Sequence, residues 1–267
     1  MRGFLVLNEG EIIRISEFKS YRAKSWIIEL KKDKELSTHL GKILHNDILA
    51  SEFGDTLPVT KGHILILPPT PRDFIHHFQL KTQILYEDDC EIACSLAGVG
   101  NGMVVGEAGT GSGALTSFLA YRVKPDGKVY SFDINEKHLT NARHNIEKTR
   151  LSDIVEFSVH DIRNPIDIKN LDAFFLDFSS PFDAIDNIAF TIKGGGHLIC
   201  FVPNWSQVEK TVDKINANPF LMLVRVFEIT TRNFTVNPER HIMRPIFRDL
   251  VYSGVLIHAI RINPVEK

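Results

Sequence analysis

A run from Val104 to Gly113 joins two β-branched residues to Gly106, Glu107, Ala108, Gly109, Thr110, Gly111, Ser112 and Gly113. An apolar strand that ends in alternating glycines and opens a helix lets a ligand approach bare backbone at the helix N-terminus. The pattern marks a site for a nucleoside cofactor. Glu107, two residues before the first loop glycine, narrows the choice, because a carboxylate at the strand end repels phosphate and favours a cation. S-adenosylmethionine carries a sulfonium and an ammonium, whereas NAD carries a pyrophosphate.

Asp133, Asp161 and Asp177 join Glu107 at or just beyond the carboxyl ends of successive predicted strands. In an open α/β sheet that edge is where ligands bind. Asp133 follows Gly109 by about two dozen residues, a spacing at which an acid accepts hydrogen bonds from ribose hydroxyls. Asp161, beside His160, is placed to accept from an adenine amino group. Asp177, Phe178, Ser179, Ser180 and Pro181 occupy the fourth-strand position where methyltransferases acting on amino or ring nitrogens hold the target base. A carboxylate there accepts from an exocyclic amine and offsets positive charge growing on the ring. The same segment also reads as an Asx turn whose proline opens the next helix. A dinucleotide alternative rests on Gly109, Gly111 and Ala114, which satisfy G-x-G-x-x-A, with Asp133 on the ribose. Against it stand Glu107, the position of the motif deep in the chain, and the Asp177 to Pro181 segment.

The elements that must position these residues follow from the hydrophobic pattern. Before residue 70 the chain has short β-rich runs, Ile12 to Ile15, Trp26 to Leu30 and Ile64 to Leu67, broken by polar turns, which predicts a small β-barrel or sandwich. Pro68, Pro69, Thr70 and Pro71 stiffen the chain and place a domain boundary there, giving domains 1–70 and 71–267. Beyond it strands and helices alternate: strands from Met103 to Gly106, Lys128 to Phe132, Ile154 to Ser158, Ala173 to Leu176 and His197 to Phe201, with helices from Ala114 to Arg122 and Glu136 to Thr149. Gly194 to Gly196 reads as a turn into the fifth strand. Two apolar runs, Phe220 to Ile229 and Leu250 to Ile262, look like a closing antiparallel pair. The fold class is therefore α/β, five parallel strands plus a terminal β-hairpin: a class I, Rossmann-like methyltransferase sheet with a small N-terminal β-barrel domain.

Composition agrees with a globular chain, with 43% hydrophobic residues in 267. No apolar run approaches a membrane span, and Met1 to Leu5 lack a signal-peptide pattern, so a cytoplasmic protein is expected. The three cysteines make no closed disulfide set, and Cys90 and Cys94 suit one face of a buried helix. None of the eleven histidines forms a metal pattern, and no metal is expected. The net charge of −2 argues against a uniformly basic nucleic-acid binder, although residues 221–267 hold seven Lys or Arg against four acids.

Several segments taken together resemble the tRNA (adenine-N1)-methyltransferases that modify position 58 in the T-loop. They are Pro69, Thr70 and Pro71; Thr82, Gln83, Ile84, Leu85 and Tyr86; Glu107 to Gly113; Pro203 and Asn204 with Gln207 and Val208; and Arg244 with Pro245. The resemblance spans nearly the whole chain, including the N-terminal domain. It implies that Glu107, Gly109, Gly111, Ser112, Gly113, Asp133, His160 and Asp161 surround S-adenosylmethionine, with Gln83 touching it. Asp177 would contact the target adenine at the cofactor's edge, and Tyr86 would stack on the flipped base. Asn204 and Gln207 border the pocket or cap the following helix. The reaction implied is direct in-line methyl transfer to adenine N1, and the implied partners are tRNA and further copies of the chain in a homotetramer that pools basic patches. Three positions depart from the family pattern: Leu80 and Lys81 where an arginine is usual, Asn135 shortly after Asp133, and Tyr252 in place of the family's histidine. Two other readings share much of the pattern: methyl transfer to a protein carboxyl or side-chain nitrogen, and a non-catalytic tRNA-binding subunit. Intact Glu107, Asp133, Asp161 and Asp177 weigh against the second.

Overall fold

The computed structural model describes residues 7–18, 23–237, 240–246 and 252–264. Met1 to Leu5, and Leu250 and Val251 at the start of the last predicted strand, lie outside the described residues. The chain divides into two units, Met1–His77 with Phe234–Ile246, and Phe78–Asn233 with Phe247–Lys267.

The first unit contains β1 (Ile12–Glu17), β2 (Ser25–Glu29), β3 (Glu35–Thr38), β4 (Gly41–Leu44), α1 (His45–Leu49), β5 (Thr56–Val59), β6 (Gly62–Leu67) and α2 (Pro71–Ile75). Antiparallel ladders give the order β2-β1-β6-β5, and β3 pairs with β4 separately. Side chains alternate across a strand, so Ile13 and Ile15 of β1 point inward with Ile64 and Ile66 of β6; Ile43 and Ile48 complete one core shared by sheet, hairpin and helix. Among the described residues no ladder joins β2 to β5, so the small β-rich unit is a partly open sheet around a barrel-like core. The proline-rich stretch does not end the unit. Pro71 opens α2 and Thr70 caps it, its amide donating to Asp73 Oδ2 at 2.9 Å, so the unit continues to His77.

The second unit contains α3 (Glu87–Leu96), β7 (Val104–Ala108), α4 (Ala114–Val123), β8 (Lys128–Asp133), α5 (Glu136–Glu147), β9 (Val155–Val159), β10 (Leu171–Leu176), α6 (Ile185–Ala189), β11 (Ile192–Val202), α7 (Trp205–Ala217) and β12 (Leu221–Glu228). A hairpin of β13 (Phe234–Asn237) and β14 (Ile242–Pro245) follows and belongs to the first unit. The last strand, β15 (Val255–Arg261), returns to the second. Its sheet has seven strands in the order β12-β15-β11-β10-β7-β8-β9. Strands β7 to β11 are mutually parallel, and β15 runs antiparallel to both β11 and β12. The closing pair is thus antiparallel as read from sequence, and β12 points the same way as the five parallel strands.

Both faces of this sheet are covered, as parallel sheets require. Phe174 and Phe175, neighbours on β10 with side chains on opposite faces, are 0% and 1% exposed. Gly194 to Gly196 is not a turn before the fifth strand, because β11 already starts at Ile192. The β10–β11 register shifts between Leu171 and Ala173, and Gly195 takes φ +81°, so the glycines sit in an irregular stretch inside the strand.

Candidate active site

A cavity of about 620 Å³ opens beyond the carboxyl ends of β7, β8 and β10, within the roughly 300–1,000 Å³ of small-molecule and cofactor sites. Of the residues expected from sequence, Gln83, Tyr86, Gly109, Gly111, Asp133, His160, Asp161 and Asp177 line it. Glu107, Ser112 and Gly113 do not.

The glycine loop is stitched to β8. The amides of Gly109 and Thr110 donate to the Phe132 carbonyl at 2.9 and 3.3 Å, and the Gly113 amide donates to the Thr110 carbonyl at 2.8 Å. Gly111 donates its amide to Asp133 Oδ2 at 3.0 Å. These donors are therefore spent inside the protein and do not form a pyrophosphate cradle. Gly109 has φ +95°, and a Cβ there would fall 1.9 Å from the Asp177 carbonyl oxygen, so only glycine lets the loop pass under β10. This loop chemistry disfavours a dinucleotide on different grounds from those read in the sequence.

Glu107 is the main correction. Its side chain turns away from the cavity and is 1% exposed. Oε2 accepts from Thr116 Oγ1 at 2.7 Å and from Ser131 Oγ at 2.8 Å. Burial pushes its carboxyl up to about 8 against those two hydroxyls, so at neutral pH it is largely uncharged. It pins α4 to β8 from behind the cavity wall. Ser112 likewise works behind the wall: its Oγ accepts the Lys81 and Thr82 amides at 3.0 and 3.2 Å, holding the segment that leads to Tyr86. Gly113 caps α4 with φ +83° and allows Ala142 of α5 to approach, since a Cβ there would lie 3.3 Å from the Ala142 Cβ.

Asp133 ends β8 with its carboxylate fixed by two backbone donors, Gly111 on Oδ2 and Asn135 on Oδ1 at 2.9 Å, while His138 Nδ1 stands 3.3 Å from Oδ2. The family departure at Asn135 has a local explanation: its side chain caps α5 by accepting the Lys137 amide at 3.0 Å. At the end of β9, Asp161 is gripped by Arg163, whose Nε donates at 2.8 Å and Nη2 at 2.6 Å. Those bonds hold the Asp161 carboxyl down to about 2. His160 sets its ring edge-on to Phe132, with centroids 6.1 Å apart.

Asp177 follows β10, its amide bonded to the Ala108 carbonyl at 2.9 Å. Burial, reinforced by the charge of Asp89, raises its carboxyl to about 7, and among the described residues no donor is bonded to that carboxylate. Tyr86 precedes α3 at its N-cap position, 37% exposed, and accepts a long 3.4 Å contact from Gln83 Nε2 on its hydroxyl. Asn204 and Gln207 both line the cavity and shape the start of α7: the Asn204 amide donates to Gln207 Oε1 at 3.1 Å, and Gln207 Nε2 donates to the Ser179 carbonyl at 2.7 Å. The Tyr252 hydroxyl donates to the Pro203 carbonyl at 2.7 Å.

Sequence reasoning missed Arg163, His138 and Ser253 on the wall, and Asp89 behind it. Arg163 carried a signal, a cation two residues after a strand-end acid. Asp89 carried none, being the third acid of Glu87, Asp88 and Asp89, which reads as ordinary first-turn helix chemistry. Among the described residues no group of three or more His, Cys, Asp or Glu is arranged to hold a metal ion, and no helix is long and apolar enough to cross a membrane.

The chain is 29% identical over 245 residues to the tRNA (adenine(58)-N(1))-methyltransferase catalytic subunit TRM61 of Candida albicans, covering 87% of this chain and 71% of that one. It is 28% identical over 242 residues to the tRNA (adenine(58)-N(1))-methyltransferase TrmI of Thermus thermophilus, covering 90% and 93%. Among solved structures, an SAM-dependent O-methyltransferase from Thermotoga maritima superposes with a TM-score of 0.83 at 30% identity, covering 98% of this chain and 97% of that one. The family model described as tRNA methyltransferase complex GCD14 subunit matches residues 62–250. With that match spanning most of its length, the chain belongs to the GCD14 family of tRNA methyltransferase complex subunits.

Proposed function

We propose that this protein transfers a methyl group from S-adenosylmethionine to N1 of adenine 58 in the T-loop of tRNA. The observation that carries the reading is Asp177, a carboxylate on the cavity wall that is raised to about 7 and has no bonded donor among the described residues. An adenine offers it the complementary donor, the N6 amine. The fit to the cofactor rests on two acceptors on the cavity wall, Asp133 for ribose hydroxyls and Asp161 for the adenine amine. Bound there, S-adenosylmethionine would supply an electrophilic methyl group with a neutral thioether as leaving group.

The chain's own residues orient and stabilise. Asp177 accepts from N6, which aims the N1 lone pair and offsets the positive charge that methylation leaves on the ring. Tyr86 supplies an aromatic face for a base taken out of its stack. Much of the rate comes from holding N1 at about 3 to 3.5 Å from the methyl carbon. A homotetramer is the assembly we favour, because a subunit with net charge −2 needs pooled basic surface to hold a polyanion.

Incubation of the protein with unmodified tRNA and S-adenosylmethionine, followed by primer extension, tests the reading. N1 methylation blocks base pairing, so reverse transcription should stop at adenine 58. The O-methyltransferase name of the Thermotoga maritima relative frames the other outcome. Labelled methyl on tRNA without a stop would place the group on another atom.

A further inference from the structure

Behind the target-base half of the cavity lies a second carboxylate. Asp89, in the first turn of α3, is 2% exposed. Ser253 Oγ donates to Asp89 Oδ1 at 3.0 Å, and Ser253 itself lines the cavity just ahead of β15. The preceding residue, Tyr252, is tied to the carbonyl of Pro203, also on the wall. The two bonds pin residues 252 and 253 between α3 and the start of α7. A buried acid with one hydroxyl donor is an expensive way to fix a loop, since a neutral acceptor would serve as well.

We propose that Asp89 is a positioning residue of this site, acting through Ser253 on the cavity wall and through its buried negative charge on Asp177. The inference rests on the substrate reading above, which makes Asp177 the group that meets the base.

The surroundings leave Asp89 to act on Asp177 largely unopposed. Asp88 is the other charge that acts on Asp89, and the adjacent buried Cys90 feels Asp89, Asp177, Glu107 and Cys94 together, with no cation among them. The guanidinium of Arg122 on α4 is bonded to Glu91. Burial raises the Asp89 carboxyl to about 6 against the Ser253 bond, which pulls it down. Two carboxylates in one poorly solvated site resist simultaneous ionisation. The charge of Asp89 therefore adds to burial in raising the Asp177 carboxyl.

Asp89→Asn keeps an acceptor for Ser253 and removes the charge, and Asp89→Ala removes both. Carboxyl 13C titration of Asp177 in the free protein and the pH dependence of kcat and KM for tRNA are measured on each. In both variants Asp177 should titrate about one unit lower, and the acid limb of kcat should move down with it. Only Asp89→Ala should raise KM several-fold. An unmoved Asp177 midpoint in Asp89→Asn, or equal KM in the two variants, overturns the proposal. If the Asp89 variants do not fold, Ser253→Ala must reproduce the KM increase, and failure to do so also overturns it. A wild-type protein that leaves tRNA unmethylated while its Asp177 midpoint still shifts in Asp89→Asn counts against the substrate reading alone.

Discussion

Replacing Asp177 by asparagine should stabilise the protein while abolishing methyl transfer, and the size of the gain should depend on pH. The carboxyl ionises near 3.8 in the unfolded chain and near 7 in the folded protein, because burial and then Asp89 disfavour its charge. Between those values the native state holds a proton that the unfolded state has released. Stability therefore falls as pH rises, by about 1.4 kcal/mol per pH unit, and levels off above pH 7. The full difference of about three units corresponds to about 4 kcal/mol. Asparagine is nearly isosteric and carries no proton to release, so the variant escapes this loss. Its thermal midpoint should coincide with that of the wild type near pH 4 and exceed it by roughly 10 °C at pH 8, at about 2 to 4 °C per kcal/mol for a chain of this size. Scanning fluorimetry across that range, with a methyl-transfer assay on the same samples, makes the test. Parallel curves at all pH values would refute the argument that Asp177 is held in a charge-averse site, and a variant that turns over at the wild-type rate would refute the need for its charge beside the base.

Glu107→Gln should bind S-adenosylmethionine within a few-fold of wild type at pH 7, because the native carboxyl is already largely neutral with a value near 8; a loss beyond tenfold by calorimetry would restore a direct electrostatic role. Asp133→Ala should weaken cofactor affinity by about 10- to 100-fold, the worth of one or two charged hydrogen bonds, and unchanged affinity removes the ribose role. Ser112→Ala strands the Lys81 and Thr82 amides and should cost about 1 to 3 kcal/mol in chemical denaturation. The same variant should slow transfer more than it weakens cofactor binding, since the held segment leads to Tyr86.

Much of the fold was legible because its signals are local. Alternation and turn residues gave the strands, and acids after apolar runs marked the ligand edge. The failures share a cause. Glu107 has the same sequence signature whether it faces a ligand or two hydroxyls; only the positions of Thr116 and Ser131, brought together by packing of α4 on the sheet, decide which. Gly194 to Gly196 looked like a turn because glycine marks both turns and strand irregularities. Asp89 and Ser253 meet across 164 residues, a separation at which no local pattern speaks. The Tyr252 and Asn135 departures, unexplained as sequence, became a tether to Pro203 and a helix cap once their partners were visible.

The position of β15 sets the order in which the sheet can be completed. It pairs with β11 on one side and β12 on the other. Until residues 255–261 arrive, β12 has no ladder partner among the described residues and β11 presents an unpaired edge from His197 to Val202. The sheet is therefore completed by its last strand, whose pairings with β11 and β12 are non-local, a slow step in chains dominated by such contacts. An intermediate lacking this strand exposes two unpaired edges at once and is the species from which misassembly would start.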